Sequence, residues 1–299
     1  MKKVVKLALS LLCATIIITS IDIYADEKEI DDVENTYVEH NYKTGKDKKI
    51  KIISDLVEKS NYSADERISM PYTPKRSNGD LSTMNILPNE SLKKVDATAE
   101  PYCKVTYLYI GRDNNHDGIV ESWAGGTGFM VHDDIMLTAG HCMYNKDNGN
   151  VEEMRIYEMQ NSSKRNSKYY YPLKWVMSDK YVDRCDSNYD WCVVVLQNRI
   201  GKRIGWFGYG IALKSKNITV SGYPDYKAYQ YYQYKDSGKL SIDSKYTFSH
   251  TCSTRGGESG APAYDSNNIV WGIHTSGGEK ANYGCLITSA LFDVIERFE

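Results

Sequence analysis

From Tyr102 onward, short apolar stretches rich in Val, Ile, Tyr and Thr alternate with polar, turn-forming segments. The pattern predicts strands over 105–110, 129–132, 135–138, 154–157, 191–196, 218–221, 229–234, 246–248 and 269–274. Only the carboxyl end carries a helical stripe. Leu291, Val294, Ile295 and Phe298 recur at i, i+3, i+4 and i+7 behind Thr288 and Ser289, which can cap. Many short strands and one terminal helix predict an all-β architecture, sandwich or barrel.

The amino end follows other rules. Lys2, Lys3 and Lys6 precede an apolar run over 7–18, and Ile23-Tyr24-Ala25 offers a cleavage site before Asp26. This is the pattern of a secretory signal over 1–25. The run is short against the ~20 apolar residues a membrane span needs. Cys13 does not follow a small residue, as a lipid-attachment site would require. The expectation is a secreted, extracellular protein with no membrane segment. Residues 26–84 open on Asp26, Glu27, Glu29, Asp31, Asp32 and Glu34, and end in loop-like residues around Pro71 and Gly79. With so few large apolar side chains, the stretch is expected to be marginally folded.

Composition changes the picture little. The 299 residues allow one or two domains, and 37 basic against 39 acidic side chains give no bias toward nucleic acid. The 25 tyrosines read mostly as strand residues. Seven cysteines leave six once Cys13 departs with the signal, a number that suits disulfides in an oxidising exterior. No Cys-x-x-Cys or paired histidine appears, so neither metal nor cofactor is expected. Asp113-Asn114-Asn115-His116-Asp117-Gly118 copies the first half of a calcium loop. Its twelfth position is Ala124 where a bidentate glutamate belongs, and the expectation is a polar hairpin loop.

Candidate chemistry centres on Gly256-Gly257-Glu258-Ser259-Gly260-Ala261-Pro262. A serine hydroxyl becomes a nucleophile when a base takes its proton and donors await the oxyanion. Small neighbours let the N–H groups of Gly257 and Ser259 converge. Thr138-Ala139-Gly140-His141-Cys142 supplies a histidine just past a strand, and Tyr189-Asp190-Trp191-Cys192 an aspartate at the mouth of another. The order His141, Asp190, Ser259 is that of one known triad arrangement. Asp183 and Asp186 are the alternative orienting acids, but neither opens an apolar strand.

These motifs resemble the trypsin-like serine peptidases. Asn85-Ile86-Leu87-Pro88-Asn89, Gly205-Trp206-Phe207-Gly208-Tyr209, Ser221-Gly222-Tyr223-Pro224 and Gly272-Ile273-His274 narrow the likeness to the bacterial glutamyl endopeptidases, over roughly residues 85–299. The resemblance implies two six-stranded antiparallel β-barrels with a C-terminal helix and the triad between them. It implies a propeptide over 26–84, removed before Asn85 by a processing protease, and a monomeric endopeptidase domain over 85–299. Fold logic then suggests the disulfides Cys103–Cys142, Cys185–Cys192 and Cys252–Cys285. It further implies a pocket built from Thr254 and His274, with Thr275, Ser276 and Gly277 pairing to the substrate backbone. A hydroxyl and an imidazole donor suit a carboxylate, so protein or peptide substrates with Glu or Asp are expected. The chain departs from the glutamyl branch at Glu258, where Asn or Gln is usual. The acid is expected to pair with Arg255, to meet a new N-terminal amine, or to face solvent.

Two other classes are open on sequence. A secreted toxin or adhesin could use this fold for binding, although its triad would usually be broken. A serine esterase would place glycine where Ala261 stands and would order its triad differently.

Overall fold

The computed structural model describes residues 34–53, 67–74, 92–147, 149–225, 229 and 231–299. The expected signal segment and the expected Met84–Asn85 processing junction lie outside the described residues. The chain opens with a hairpin of β1 (Glu34–Asn41) and β2 (Lys46–Ile53), followed by the short pieces β3 (Ile68–Ser69) and β4 (Lys93–Lys94).

Strands β5 (Val105–Arg112), β6 (Ser122–Met130) and β7 (Ile135–Thr138) come next. A small ribbon of β8 (Tyr144–Asn145) and β9 (Gly149–Asn150) precedes β10 (Glu153–Glu158) and β11 (Pro172–Ser178). Helix α1 (Asp179–Arg184) then leads to β12 (Cys192–Leu196). The pairing order β10-β5-β6-β7-β12-β11 makes the first barrel, and a bridge between Ile156 and Tyr170 completes the ring. Every residue of β7 and β12 is buried, so Ile-Met-Leu-Thr and Cys-Val-Val-Val-Leu read as continuous apolar runs rather than alternating ones.

After α2 (Gly201–Ile204) come β13 (Gly208–Gly210), β14 (Lys216–Gly222), β15 (Tyr234–Ile242) and β16 (Thr247–His250). β17 (Pro262–Tyr264), β18 (Ile269–Ser276) and β19 (Asn282–Leu286) finish the second barrel, before α3 (Ser289–Phe298). The order β17-β14-β15-β16-β19-β18 closes on itself through β17–β18. One pairing departs from the antiparallel expectation: β13 runs parallel to β18. Phe129, Tyr107, Tyr223, Phe207 and Tyr264 join one apolar cluster, into which α3 inserts Leu291, Phe292, Val294 and Ile295. The expected cap is present, with Thr288 Oγ1 accepting from Leu291 N–H at 3.2 Å.

Three sequence expectations are corrected. The strand expected over 229–234 begins only at Tyr234; Tyr229 sits in a turn and packs edge-on to Tyr234 instead.

Part of the stretch expected to be marginally folded is ordered. β1 adds to the barrel edge at β11, and Tyr37, Val38 and Ile52 are buried. Buried Glu39 is matched by Lys48 at 2.8 Å and Lys174 at 3.1 Å. The apolar residues are few, but both faces of β1 are covered, so the consecutive Tyr37 and Val38 are buried in different apolar clusters.

No expected disulfide forms. The sulfurs lie on different elements and turn onto carbonyls: Cys103 to Ile204 at 3.3 Å, Cys142 to Ser259 at 3.7 Å, Cys285 to Ser187 at 3.3 Å. Cys192 and Cys252 do likewise within the barrels, and Cys185 ends α1 in a left-handed turn.

Candidate active site

β7 ends at Thr138 and hands the chain to a single helical turn, Gly140–Cys142, which carries His141. A second such turn, Ser187–Tyr189, is followed at once by Asp190 and β12. Because β7 and β12 pair directly, with Cys192 opposite Thr138, the two side chains meet at adjacent strand ends. Asp190 Oδ1 accepts from the His141 backbone N–H at 2.8 Å, and Oδ2 lies 2.8 Å from His141 Nδ1. The aspartate side chain is 13% exposed and the imidazole 38%, so the acid stands behind and the ring opens outward. Burial disfavours charge on His141. The neighbouring Cys142 sulfur and the Asp190 carboxylate favour it by more, and the pKa rises well above the ordinary 6.5.

Ser259 comes from the second barrel, in the turn before β17. Gly257 has φ +95, and a Cβ there would stand 2.3 Å from Asp225 N, so this corner tolerates glycine alone. Among the described residues the N–H groups of Gly257 and Ser259 donate no hydrogen bond, which leaves both for a ligand. Ser259 Oγ donates to the Thr275 carbonyl at 3.4 Å rather than to His141. Thr127, which no sequence motif marked, ties this turn to the first barrel. Its N–H donates to Ser259 O at 2.9 Å, and its hydroxyl donates to Gly257 O at 2.9 Å while accepting from Tyr223 N–H at 3.0 Å.

The expected pocket residues flank the turn. His274, buried in β18, accepts from Gly260 N–H at 2.8 Å and donates to Ala261 O at 2.9 Å through its backbone. β18 bulges after it, which brings the Thr275 carbonyl toward Ser259 and leaves Ser276 and Gly277 exposed. Thr254 is half-buried beyond β16, and its hydroxyl has no hydrogen-bond partner among the described residues. Behind His274 lies a residue that sequence reading missed. His250 Nε2 is 3.0 Å from His274 Nδ1.

Glu258 does not face solvent. It is fully buried, its Oε2 accepts from Arg255 N–H at 2.7 Å, and its Oε1 has no partner. Burial pushes the carboxyl up to about 8, although the Arg255 N–H pulls the other way.

Histidine and carboxylate groups that could ligate a metal occur at two places among the described residues, neither of which includes His141, Asp190 or Ser259. His132, Asp133 and Asp134 form the β6–β7 turn, where Arg199 already pairs with Asp133 at 2.6 Å. In the calcium-like loop the Asp113 carboxylate accepts N–H groups from Asn115, His116, Asp117 and Gly118, which makes it the organiser of a polar turn.

Residues 113–293 match the family described as Trypsin. An extracellular metalloprotease of Bacillus subtilis (strain 168) is 27% identical over 225 residues, covering 72% of this chain and 70% of the relative. A glutamyl endopeptidase of Bacillus licheniformis is 26% identical over 226 residues, covering 69% of this chain and 66% of the relative. Among solved structures, a Glu endopeptidase in complex with MPD superposes with a TM-score of 0.61 at 23% identity. It covers 72% of this chain and 99% of its own, a likeness of fold.

Proposed function

Because this chain belongs to the trypsin family of serine endopeptidases, of the glutamyl-endopeptidase type, we propose that it is secreted and cuts peptide bonds on the carboxyl side of Glu, and more slowly Asp. Ser259 is the nucleophile, His141 the base and Asp190 the group that orients it. For the reaction Ser259 Oγ must leave the Thr275 carbonyl and turn to His141. His141 then accepts the hydroxyl proton as Oγ bonds to the peptide carbonyl, and the N–H groups of Gly257 and Ser259 receive the oxyanion. Collapse breaks the C–N bond, with His141 returning the proton to the leaving amine. Water repeats the cycle in reverse and frees Ser259.

Specificity follows from His274 and Thr254. The observation that carries the reading is the pair of backbone hydrogen bonds joining His274 to Gly260 and Ala261, the two residues after Ser259. They hold the strand that carries His274 against the Ser259 turn. An imidazole N–H and a hydroxyl then offer two donors to a carboxylate, while Thr275, Ser276 and Gly277 pair with the substrate backbone. Residues 26–84 act as a propeptide that a second protease removes, and the mature enzyme works as a monomer.

Mapping cut sites in casein tests this, with Ser259→Ala as control. A charge-assisted hydrogen bond is worth about 1.5–3 kcal/mol, so Glu should exceed Gln by about tenfold or more. Cutting mainly after Lys, Arg or Phe overturns the specificity, and activity in Ser259→Ala overturns the mechanism.

A further inference from the structure

A cavity of about 580 Å³ is lined by none of His141, Asp190, Ser259, Thr254 or His274. Its size is that of a small-molecule site, roughly 300–1,000 Å³. Both barrels contribute to it. Trp191 stands just before β12, Ile211 and Leu213 follow β13, Ile242 ends β15, and Leu286 and Ile287 close β19. These six side chains give the cavity an apolar wall. Trp191, Leu286 and Ile287 are buried, whereas Leu213 is 53% exposed and marks the mouth.

The charged and hydroxyl groups of the lining form one row. Lys180 Nζ donates to Tyr189 OH at 2.9 Å, and the Tyr189 and Tyr246 ring centroids lie 5.0 Å apart. Lys245 Nζ then stands 4.9 Å from the centre of the Tyr246 ring. All four line the cavity, and no aspartate or glutamate does. Among the described residues neither lysine pairs with a carboxylate. Asp190, between Tyr189 and Trp191 in the chain, turns its carboxylate onto His141 instead. α3 begins in the same lining with Thr288, Ser289 and Ala290, and a helix start favours a negative group. Positive charge without a counter-charge beside a hydrocarbon wall is complementary to an anion with an apolar body.

We propose that this cavity binds a single-chain fatty acid, its carboxylate on the row Lys180, Tyr189, Tyr246 and Lys245 and its alkyl chain against the apolar wall. One row of donors serves one head group. A peptide fits less well, because it would bring a backbone amide with every residue to a wall that cannot satisfy them. The inference uses none of the residues assigned to peptide cutting and stands or falls without them. Tyr189 and Trp191 bracket Asp190, so the ligand rests against the strand end that carries the aspartate.

The test is titration calorimetry on the chain from Asp26, carrying Ser259→Ala to prevent self-digestion. The ligands are octanoate, decanoate and dodecanoate, each below its micellar concentration. One molecule should bind per chain, and each added CH₂ should tighten binding about fourfold. Decanol and decyltrimethylammonium should bind about tenfold or more weakly than decanoate. Lys180→Met combined with Lys245→Met should cost decanoate about tenfold or more and leave decanol unchanged. Leu213→Glu places a like charge at an exposed position of the mouth and should weaken decanoate as well, with thermal melting to confirm that each variant folds. Absence of saturable decanoate binding overturns the proposal. So does equal binding of the alcohol or the ammonium, or decanoate binding indifferent to the folded variants.

Discussion

Asp190 grips His141 at two points, its Oδ1 on the backbone N–H and its Oδ2 on ring Nδ1, each at 2.8 Å. A single contact would let the ring swing about it. Two contacts to one carboxylate fix both the turn that carries His141 and the tautomer of its ring, leaving Nε2 unprotonated toward the cleft.

Asp190→Asn should therefore fold and still lose about 10⁴-fold in kcat, because an amide can donate to Nδ1 and so stabilise the wrong tautomer. In the parent, kcat/KM should rise with pH as His141 loses its proton. Its pKa is raised, so the midpoint should lie above the ordinary 6.5. A midpoint below 6.5 in a pH–rate profile would argue that Asp190 does not stabilise the imidazolium.

Glu258 makes a separate prediction for stability. Its carboxyl titrates near 8 when folded and near the usual 4.5 when unfolded. The unfolded chain therefore releases this proton first. The group's contribution is fully present below pH 4.5 and is lost as pH rises toward 8, at about 1.4 kcal/mol per pH unit. Glu258→Gln keeps an acceptor for Arg255 N–H and removes the titration. Urea unfolding should find the variant increasingly more stable than the parent from pH 5 to 8. A constant difference across that range would mean that Glu258 is ionised in the fold.

Metal dependence is a sharp question, because the Bacillus subtilis relative is named a metalloprotease. Among the described residues the groups with ligand-like spacing lie in the 132–134 turn and the 113–121 loop, and neither includes His141, Asp190 or Ser259. A chelator should leave the initial rate unchanged, whereas a phosphonate that esterifies serine should abolish it. Loss of activity in the chelator, restored by a divalent ion, would transfer the chemistry away from Ser259.

What could be read from sequence follows from where each signal resides. Ile135-Met136-Leu137 and Val193-Val194-Val195 announce buried strands because both of their sides are covered. β15 was invisible beyond Tyr234: Lys-Asp-Ser-Gly-Lys-Leu-Ser-Ile offers mainly polar residues, and pairing with β14 and β16 overrides that preference. The turn that carries Ser259 was legible because Gly257 has no substitute at its φ. Thr127 and His250 were not. Each acts across barrel or sheet contacts distant in the chain, and a threonine or histidine on a strand has no local signature. The cysteine count misled because number and compartment say nothing of where the sulfurs point.

The β1–β2 hairpin yields the last prediction. It is built onto β11, whose Trp175 is fully buried and stacks on His40 with centroids 5.4 Å apart. Burial of Tyr37, Val38 and Ile52 contributes about 1.5–3 kcal/mol each before the entropy of ordering the hairpin is subtracted. Farther along, Arg67 lies 4.1 Å over the Phe292 ring and pairs with Asp293 and, at 3.0 Å, Glu296, which ties the segment to α3. If residues 26–84 are the proposed propeptide, these contacts should make it assist folding. A chain beginning at Asn85, carrying Ser259→Ala to prevent self-digestion, should melt lower than the chain from Asp26 and refold with lower yield. A peptide spanning residues 34–53, added in trans, should recover part of both. Calorimetry and refolding yield measure the outcome. Equal melting and equal yield for the two chains would show that the hairpin is an ornament on an edge the barrel does not need covered.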